Sequence, residues 1–272
     1  MSWIALRITP DSNRDGVIAA LFESGSQGVQ EDGASVVTHF PAGAPIADIR
    51  AAVIGADPRA EISVAESPAA DYSQWRASVS SHEVGELVIA PPWLASELDP
   101  RRTVIVDPAM AFGTGEHPTT RGAMRLMQGV IRAGDVVADL GAGSAVLSIA
   151  AIKLGAARVA AVEIDMDSIG NAEENVRAND VADRVEVIEG DAATLLPLLA
   201  PVRVILANII SSVITPLLPA MRLALPAEGQ AIISGMLMDE REAMVGALGA
   251  GEWVVQREDT EDGWWSALIA RR

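Results

Sequence analysis

Five apolar runs in the second half of the chain, VVADLG, RVAAVEID, RVEVIEGD, VRVILANI and GQAIISGM, alternate with segments of helical character. Each run is nearly continuous in apolar residues, which suits strands buried on both faces. Strands that alternate with helices build a doubly wound α/β sheet, because the helical crossover returns the chain to start its next strand in the same direction. After the helix-like DEREAMVGALGA the pattern changes. EWVVQRED and GWWSALIARR follow one another directly around Asp262-Gly263, a dipeptide that suits a tight hairpin. The expected sheet therefore has seven strands and is mostly parallel, closed by an antiparallel hairpin, over residues 86–272. A dinucleotide-binding dehydrogenase does not usually end this way.

The front of the chain has a different texture. SWIALRIT alternates as a half-buried strand does, and PDSNRDGVIAALFESG reads as a helix with Asp11 or Ser12 near its cap and Gly25 at its stop. QGVQEDGASVVTHF gives two short strands around Asp32-Gly33, PIADIRAAVIG a second helix, and RAEISVAE a closing strand. This order predicts a small α+β, ferredoxin-like domain over residues 1–66. It offers no catalytic constellation, and His39 is read as a surface or strand residue. Residues 67–85 are small, polar and aperiodic and read as a linker, with Tyr72 and Trp75 packing against one of the domains.

Composition narrows the chemistry. With 272 residues, half of them hydrophobic, the chain can support two domains. It has no cysteine, so disulfides, thiolate metal sites and cysteine nucleophiles are excluded, and no metal site is expected. The apolar stretch at the N-terminus is too short for a signal-peptide core, and no apolar run is long enough for a transmembrane helix; a cytoplasmic protein is expected. The formal charge of −17 repels phosphate backbones and attracts basic partners, so stable nucleic-acid binding is not expected.

The strongest chemistry lies in VVADLGAGSAVLSIAAIKLGAARVAAVEID. A buried strand ends at Asp139, turns through Gly141-Ala142-Gly143 and enters a helix. In such sheets a ligand sits beyond the carboxyl ends of the strands, where glycines let it approach the backbone. The next strand ends at Glu163, an acceptor for ribose hydroxyls. The third ends at Gly190-Asp191, where a carboxylate can receive the exocyclic amine of an adenine. The third glycine of a dinucleotide fingerprint is replaced by Val146, and no phosphate-binding P-loop is present. An adenosine ligand without phosphates, S-adenosylmethionine, tolerates both absences. The seven-stranded sheet with its terminal hairpin is also the pattern of methyltransferases that use it.

DPAMAFGTGEHPTT, the glycine-turn segment above, VILANIISSVITPLLP and WWSALIARR together resemble the bacterial ribosomal protein L11 methyltransferase family over nearly all of the catalytic part. The resemblance implies a class I S-adenosylmethionine-dependent enzyme that methylates lysine side chains and the N-terminal amine of a basic ribosomal protein, gripped by the front domain. It places donor contacts on Thr120, Gly141, Glu163 and Asn208. The chain departs from the family at Ala142, at Ala145 where a glycine is usual, at Glu163 where Asp is usual, and at Tyr72 where Trp is usual. In such enzymes the segment before the first sheet strand folds over the donor. Gly113 and Gly115 would let it pass close and Phe112 would cover the donor from water. Pro118 suits the first helical turn, Thr119 or Thr120 can offer a hydroxyl, and His117 reads as a local cap. With Gly143 and Asp191, these residues form the expected donor site. Asn208, where related amine methyltransferases place N-P-P-Y, is the candidate catalytic residue. The alternatives are action on another protein lysine or on a small-molecule amine.

Overall fold

The computed structural model describes residues 3–26, 29–41, 43–67, 79–107, 115 and 117–272. The chain divides into two compact units, Met1–Val79 and Ser80–Arg272. The first contains β1 (Trp3–Thr9), α1 (Arg14–Glu23), β2 (Val29–Asp32), β3 (Ser35–Pro41), α2 (Ile46–Ala56) and β4 (Glu61–Ser67). Its antiparallel sheet has the order β2-β3-β1-β4, the ferredoxin-like topology. Alternate residues of β1 and β3, namely Leu6, Ile8, Val36 and Phe40, are buried in one cluster with Val17 and Leu21 of α1 and Ile49 and Val53 of α2. That one-sided burial follows from the period-2 alternation of a strand. His39 lies exposed on β3.

The cap of α1 differs from expectation. Asn13, not Asp11 or Ser12, accepts the first-turn amide of Gly16 at 3.1 Å. Asp11 and Ser12 instead donate their backbone N–H groups to Asp57, at the end of α2, and Asn13 adds a third at 3.0 Å. These amides, that of Ser12 foremost, hold the Asp57 carboxyl down at a pKa of about 2.

The second unit carries the large sheet, with order β10-β9-β8-β11-β12-β14-β13. Its strands are β8 (Val136–Leu140), β9 (Arg158–Glu163), β10 (Val185–Glu189), β11 (Val204–Asn208), β12 (Gln230–Leu237), β13 (Trp253–Glu261) and β14 (Trp264–Arg271). β8 to β12 pair in parallel, and β14 and β13 add an antiparallel hairpin. At the hairpin turn Asp262 and Gly263 have φ of 50° and 81°, the left-handed conformations that the Asp-Gly pair foreshadows. Helices α3 (Pro118–Met127), α4 (Val146–Lys153) and α5 (Met166–Ala178) bury their apolar faces on one side of the sheet. Helices α6 (Ala192–Leu199), α7 (Ser211–Ala224) and α8 (Arg241–Ala250) cover the other, where Trp253 and Trp265 are the largest buried side chains. Among the described residues no helix is long and apolar enough to cross a membrane.

A third, small sheet was not foreseen. β5 (His82–Val84) pairs antiparallel with β6 (Leu87–Ala90), which pairs in parallel with β7 (Thr103–Ile105). β5 falls inside the stretch read as a linker, so the 67–85 reading runs too far toward the C-terminus; residues 68–78, with Tyr72 and Trp75, lie outside the described residues. The outer edge of β7 is finished by side chains of α5 rather than by another strand. Ile105 exchanges hydrogen bonds with the Asn179 amide at 2.8 and 2.6 Å, and Asp107 N–H donates to Asn175 Oδ1 at 3.0 Å. Asn175 also donates to Ser144 O at 3.0 Å, which ties the segment entering residue 108 to the turn after β8.

Candidate active site

The carboxyl ends of β8, β9, β10, β11 and β12 open into a cavity of about 710 Å³. It lies where the strand order reverses between β8 and β11, the place at which open α/β sheets hold ligands. Gly141 and Gly143 supply its floor, Glu163 and Asp165 one wall, Gly190 and Asp191 another. Asn208, Ile209, Ile210 and Gly235 close the far side, and His117, Thr119 and Trp264 also line it.

The floor is shaped by backbone conformation. Gly141 and Gly143 have φ of 71° and 53°, and the amides of Gly141 and Ala142 both donate to Val162 O at 2.8 and 3.0 Å. The sharp turn therefore hangs from β9. Ala145, standing where the resembling family has glycine, also takes a left-handed conformation, φ 62°. A Cβ in that region carries a cost of about 1–2 kcal/mol, which accounts for the usual glycine.

Glu163 is 8% exposed and its carboxylate is well occupied. Oε2 accepts from Gly143 N–H at 2.8 Å, and Oε1 from Ile164 and Asp165 N–H at 2.8 and 2.9 Å. A carboxylate has about four acceptor positions, so roughly one remains, on Oε2. Glu163 thus ties the glycine turn to the end of β9 and keeps a single lone pair for a hydroxyl, where the sequence suggested room for two. Asp191 caps α6 through Oδ1, which accepts from Thr194 N–H at 2.9 Å and Thr194 Oγ1 at 3.0 Å; among the described residues Oδ2 has no partner.

Behind the turn lies Asp139, 1% exposed. Its Oδ2 accepts from Ser148 Oγ at 2.7 Å, while Oδ1 is buried without a partner among the described residues. Burial, with a smaller contribution from the Glu163 charge, pushes this carboxyl up to a pKa of about 6, against the lowering by Ser148.

On the other side of the cavity, His117 caps α3, as its position before Pro118 suggests. Nδ1 accepts from Thr119 N–H at 3.3 Å and meets Thr119 Oγ1 at 2.7 Å. Its ring stands edge-to-face with Trp264, centroids 4.6 Å apart. Burial and the charge of Arg121 lower its pKa, which favours the neutral imidazole that a capping acceptor requires. Helix α3 is fastened to the hairpin by Arg121 with Glu261, and by Arg125 with Asp259 and Glu261.

This register separates the two threonines. Thr119 lines the cavity, whereas Thr120 is fully buried and its Oγ1 receives Asn208 Nδ2 at 3.3 Å. Thr120 thus reaches the cavity only through Asn208. With Nδ2 so engaged, Asn208 Oδ1 is left buried and unpartnered among the described residues. Buried acceptors are normally satisfied, so this orphan carbonyl oxygen beside the cavity stands out. Phe112 and Gly113 lie outside the described residues; Gly115 has φ 85°.

Sequence reading missed Ile209, Gly235 and Trp264. Gly235 carried a signal, a glycine inside the strand-like GQAIISGM, the mark of a bulge or a close approach. Trp264 sat in the quoted WWSALIARR without an assigned role.

The donor set suits an adenosine bearing a cation and rejects a pyrophosphate. Carboxylates face the cavity from two strands, and Glu163 occupies the Gly143 amide that a phosphate would need. Among the described residues no cluster of His, Asp or Glu is gathered as a metal site.

Comparison with known proteins agrees with this geometry. The family model described as Ribosomal protein L11 methyltransferase (PrmA) matches residues 8–272. The ribosomal protein L11 methyltransferase of Synechococcus sp. (strain RCC307) is 37% identical over 211 residues, 75% of this chain and 70% of that protein. Its counterpart from Pelobacter propionicus is 38% identical over 223 residues, 79% of this chain and 70% of that protein. The crystal structure of ribosomal protein L11 methylase from Lactobacillus delbrueckii subsp. bulgaricus superimposes with a TM-score of 0.65 at 28% identity, covering 71% of this chain and all of that one. The fold is a methyltransferase fold, and the family implies a methyl donor of the S-adenosylmethionine type. The chain belongs to the ribosomal protein L11 methyltransferase (PrmA) family.

Proposed function

We propose that this enzyme transfers methyl groups from S-adenosylmethionine to amino groups of ribosomal protein L11, lysine side chains and the N-terminal amine among them. One observation carries the reading: the unpartnered Oδ1 of Asn208, buried beside the cavity at the strand end next to the Gly141 turn. The donor, when bound, supplies a methyl group already activated on a sulfonium. Glu163 and Asp191 would hold its ribose and adenine, and Gly141 and Gly143 would let it reach the backbone.

The protein's task is then alignment and a dry site. The attacking amine must be neutral. An ordinary lysine, pKa near 10.4, costs roughly 4–5 kcal/mol to deprotonate at pH 7. Ile209, Ile210, Val213, Leu217 and Trp264 make the acceptor side of the cavity apolar, which disfavours the ammonium form. Asn208 Oδ1 accepts an N–H of the incoming amine and so turns its lone pair toward the methyl group. Its Nδ2 donates to Thr120 Oγ1, which favours the amide orientation that leaves Oδ1 for the substrate. His117 stays a cap. The charge of −17 supports a basic polypeptide substrate, and the ferredoxin-like unit is assigned to gripping it.

Single-turnover transfer from labelled donor tests the role of Asn208. At saturating donor and L11, Asn208→Ala should lose about 2–4 kcal/mol of transition-state stabilisation, roughly 30- to 1,000-fold in rate. Asn208→Asp, which keeps an acceptor, should retain part of the activity. A wild-type rate for Asn208→Ala would remove Asn208 from the chemistry.

A further inference from the structure

The loop that carries Asn208 is gripped from both sides by glycines, and the residue in the grip is Ile209. Its backbone N–H donates to Ser234 O at 3.1 Å, and its backbone lies directly on Gly235. A Cβ at Gly235 would stand 2.6 Å from Ile209 O and 2.8 Å from its carbonyl carbon. Gly235 has φ 90° and sits in the bulge of β12 between Ile233 and Met236, so the strand itself bends to seat this loop. The Ile209 side chain points the other way. Its Cγ2 methyl occupies the space that a Cβ at Gly141 would need. Two residues on, Ser211 Oγ donates to Glu240, whose Oε2 also accepts Leu237 N–H at 2.7 Å.

We propose that Ile209 is a positioning residue for methyl transfer: wedged between Gly141 of the donor-binding turn and Gly235 of the β12 bulge, it sets where Asn208 stands relative to the donor. The inference rests on the reading of Asn208 given above. Among the described residues Asn208 has one side-chain hydrogen bond, at 3.3 Å to Thr120, too little to fix its amide by itself. The neighbouring peptide supplies the rest. Because the Cγ2 methyl bears on the very glycine that approaches the donor, donor and acceptor sides of the cavity share one spacer.

The shape of the side chain makes this testable. Valine keeps both Cγ carbons, the Cγ2 methyl among them, and the stiff χ1 of a β-branched residue, and loses only the outer Cδ1. Leucine keeps the volume but moves the branch outward and loses the methyl that rests on Gly141. Single-turnover transfer to L11 at saturating donor and substrate should be within about threefold of wild type for Ile209→Val, and about ten- to a hundredfold slower for Ile209→Leu, the scale of an ångström-sized misplacement. Calorimetric affinity for S-adenosylmethionine should stay within about threefold in both, since neither change touches its polar contacts. A residue that only fills space would rank the other way, with the volume-conserving leucine the milder change.

The proposal is overturned if Ile209→Leu transfers at the wild-type rate, or if Ile209→Val is as slow as Ile209→Leu. Should Ile209→Leu not fold, as judged by its melting curve, Ser211→Ala loosens the same loop from Glu240. It should be slowed with donor affinity unchanged, and a wild-type rate there equally overturns the proposal. Asn208→Ala, run alongside, separates the two failures. If it is fast, the reading of Asn208 falls; if it is slow while Ile209→Leu is fast, only the role of Ile209 falls.

Discussion

Replacing Asp139 by asparagine should stabilise the free enzyme at neutral pH and do nothing for it in acid. Asp139 is buried beneath the glycine turn with one oxygen bonded to Ser148 and the other unpartnered among the described residues. Its pKa of about 6 stands some two units above the ordinary 3.8. The native state therefore keeps a proton that the unfolded chain gives up between pH 4 and 6. Stability falls as pH rises through that window and is level above it. Two units correspond to about 3 kcal/mol. Asparagine is nearly isosteric and can still accept from Ser148, and its unpartnered amide N–H stands where the protonated native carboxyl holds an equally unpartnered O–H, so the two match in acid. A gain of up to about 3 kcal/mol at pH 8 is expected, raising the melting temperature of the large unit by up to roughly 6–12 °C. Melting of wild type and Asp139→Asn, followed by tryptophan fluorescence at steps from pH 4 to pH 8, measures it. The two curves should converge near pH 4 and separate by pH 7. Saturating S-adenosylmethionine should narrow the separation, because a cation in the cavity favours the ionised carboxyl. An equal increment at pH 4 and pH 8, or none at pH 8, would refute the assignment of a costly buried charge.

Three further outcomes follow from the geometry. Glu163→Ala should weaken S-adenosylmethionine binding by tenfold or more in calorimetry, since a ribose acceptor and the anchor of three amides go together; NAD should not bind the wild type, and tight NAD binding would contradict the phosphate-free reading. Removing residues 1–79 should leave donor affinity nearly intact, because Gly141, Glu163, Asp191 and Asn208 all lie in the second unit, while methylation of L11 collapses; full activity of the truncated enzyme would refute the assigned division of labour. Asp57→Ala should lower the melting temperature of the first unit at neutral pH. A carboxyl whose native pKa is depressed to about 2 contributes stability above its unfolded value near 3.8 and loses it as pH falls toward 2. Circular dichroism melts at pH 7 and pH 2 should show the difference between variant and wild type shrinking in acid.

The parts of the fold that could be read from sequence are those fixed by short-range pattern. β8, β9, β11 and β12 are largely buried and, with the half-exposed edge strand β10, show as apolar runs, and the strand ends supply Gly141, Glu163, Asp191 and Asn208 to one cavity. Asp262-Gly263 encoded its own turn. What escaped depends on partners far along the chain. β7 is three residues long and is completed by Asn175 and Asn179, some 70 positions away, so no local period marks it. Thr119 and Thr120 are indistinguishable until His117 fixes the first turn of α3, which turns one to the cavity and the other to Asn208. The Ile209 wedge exists only because two strand ends and a bulge converge on it.

The central claim is that this enzyme places methyl groups on amines of a ribosomal protein, and direct transfer to that protein tests it most simply. Purified enzyme, methyl-labelled S-adenosylmethionine and purified L11 would be incubated together, and the products resolved by peptide mass spectrometry. Added mass is expected in steps of one methyl group, confined to lysine side chains and the N-terminal amine of L11, and strongly reduced in Asn208→Ala. L11 left without label, while the enzyme labels nucleic acid or a small molecule when given a cell extract instead, would contradict it.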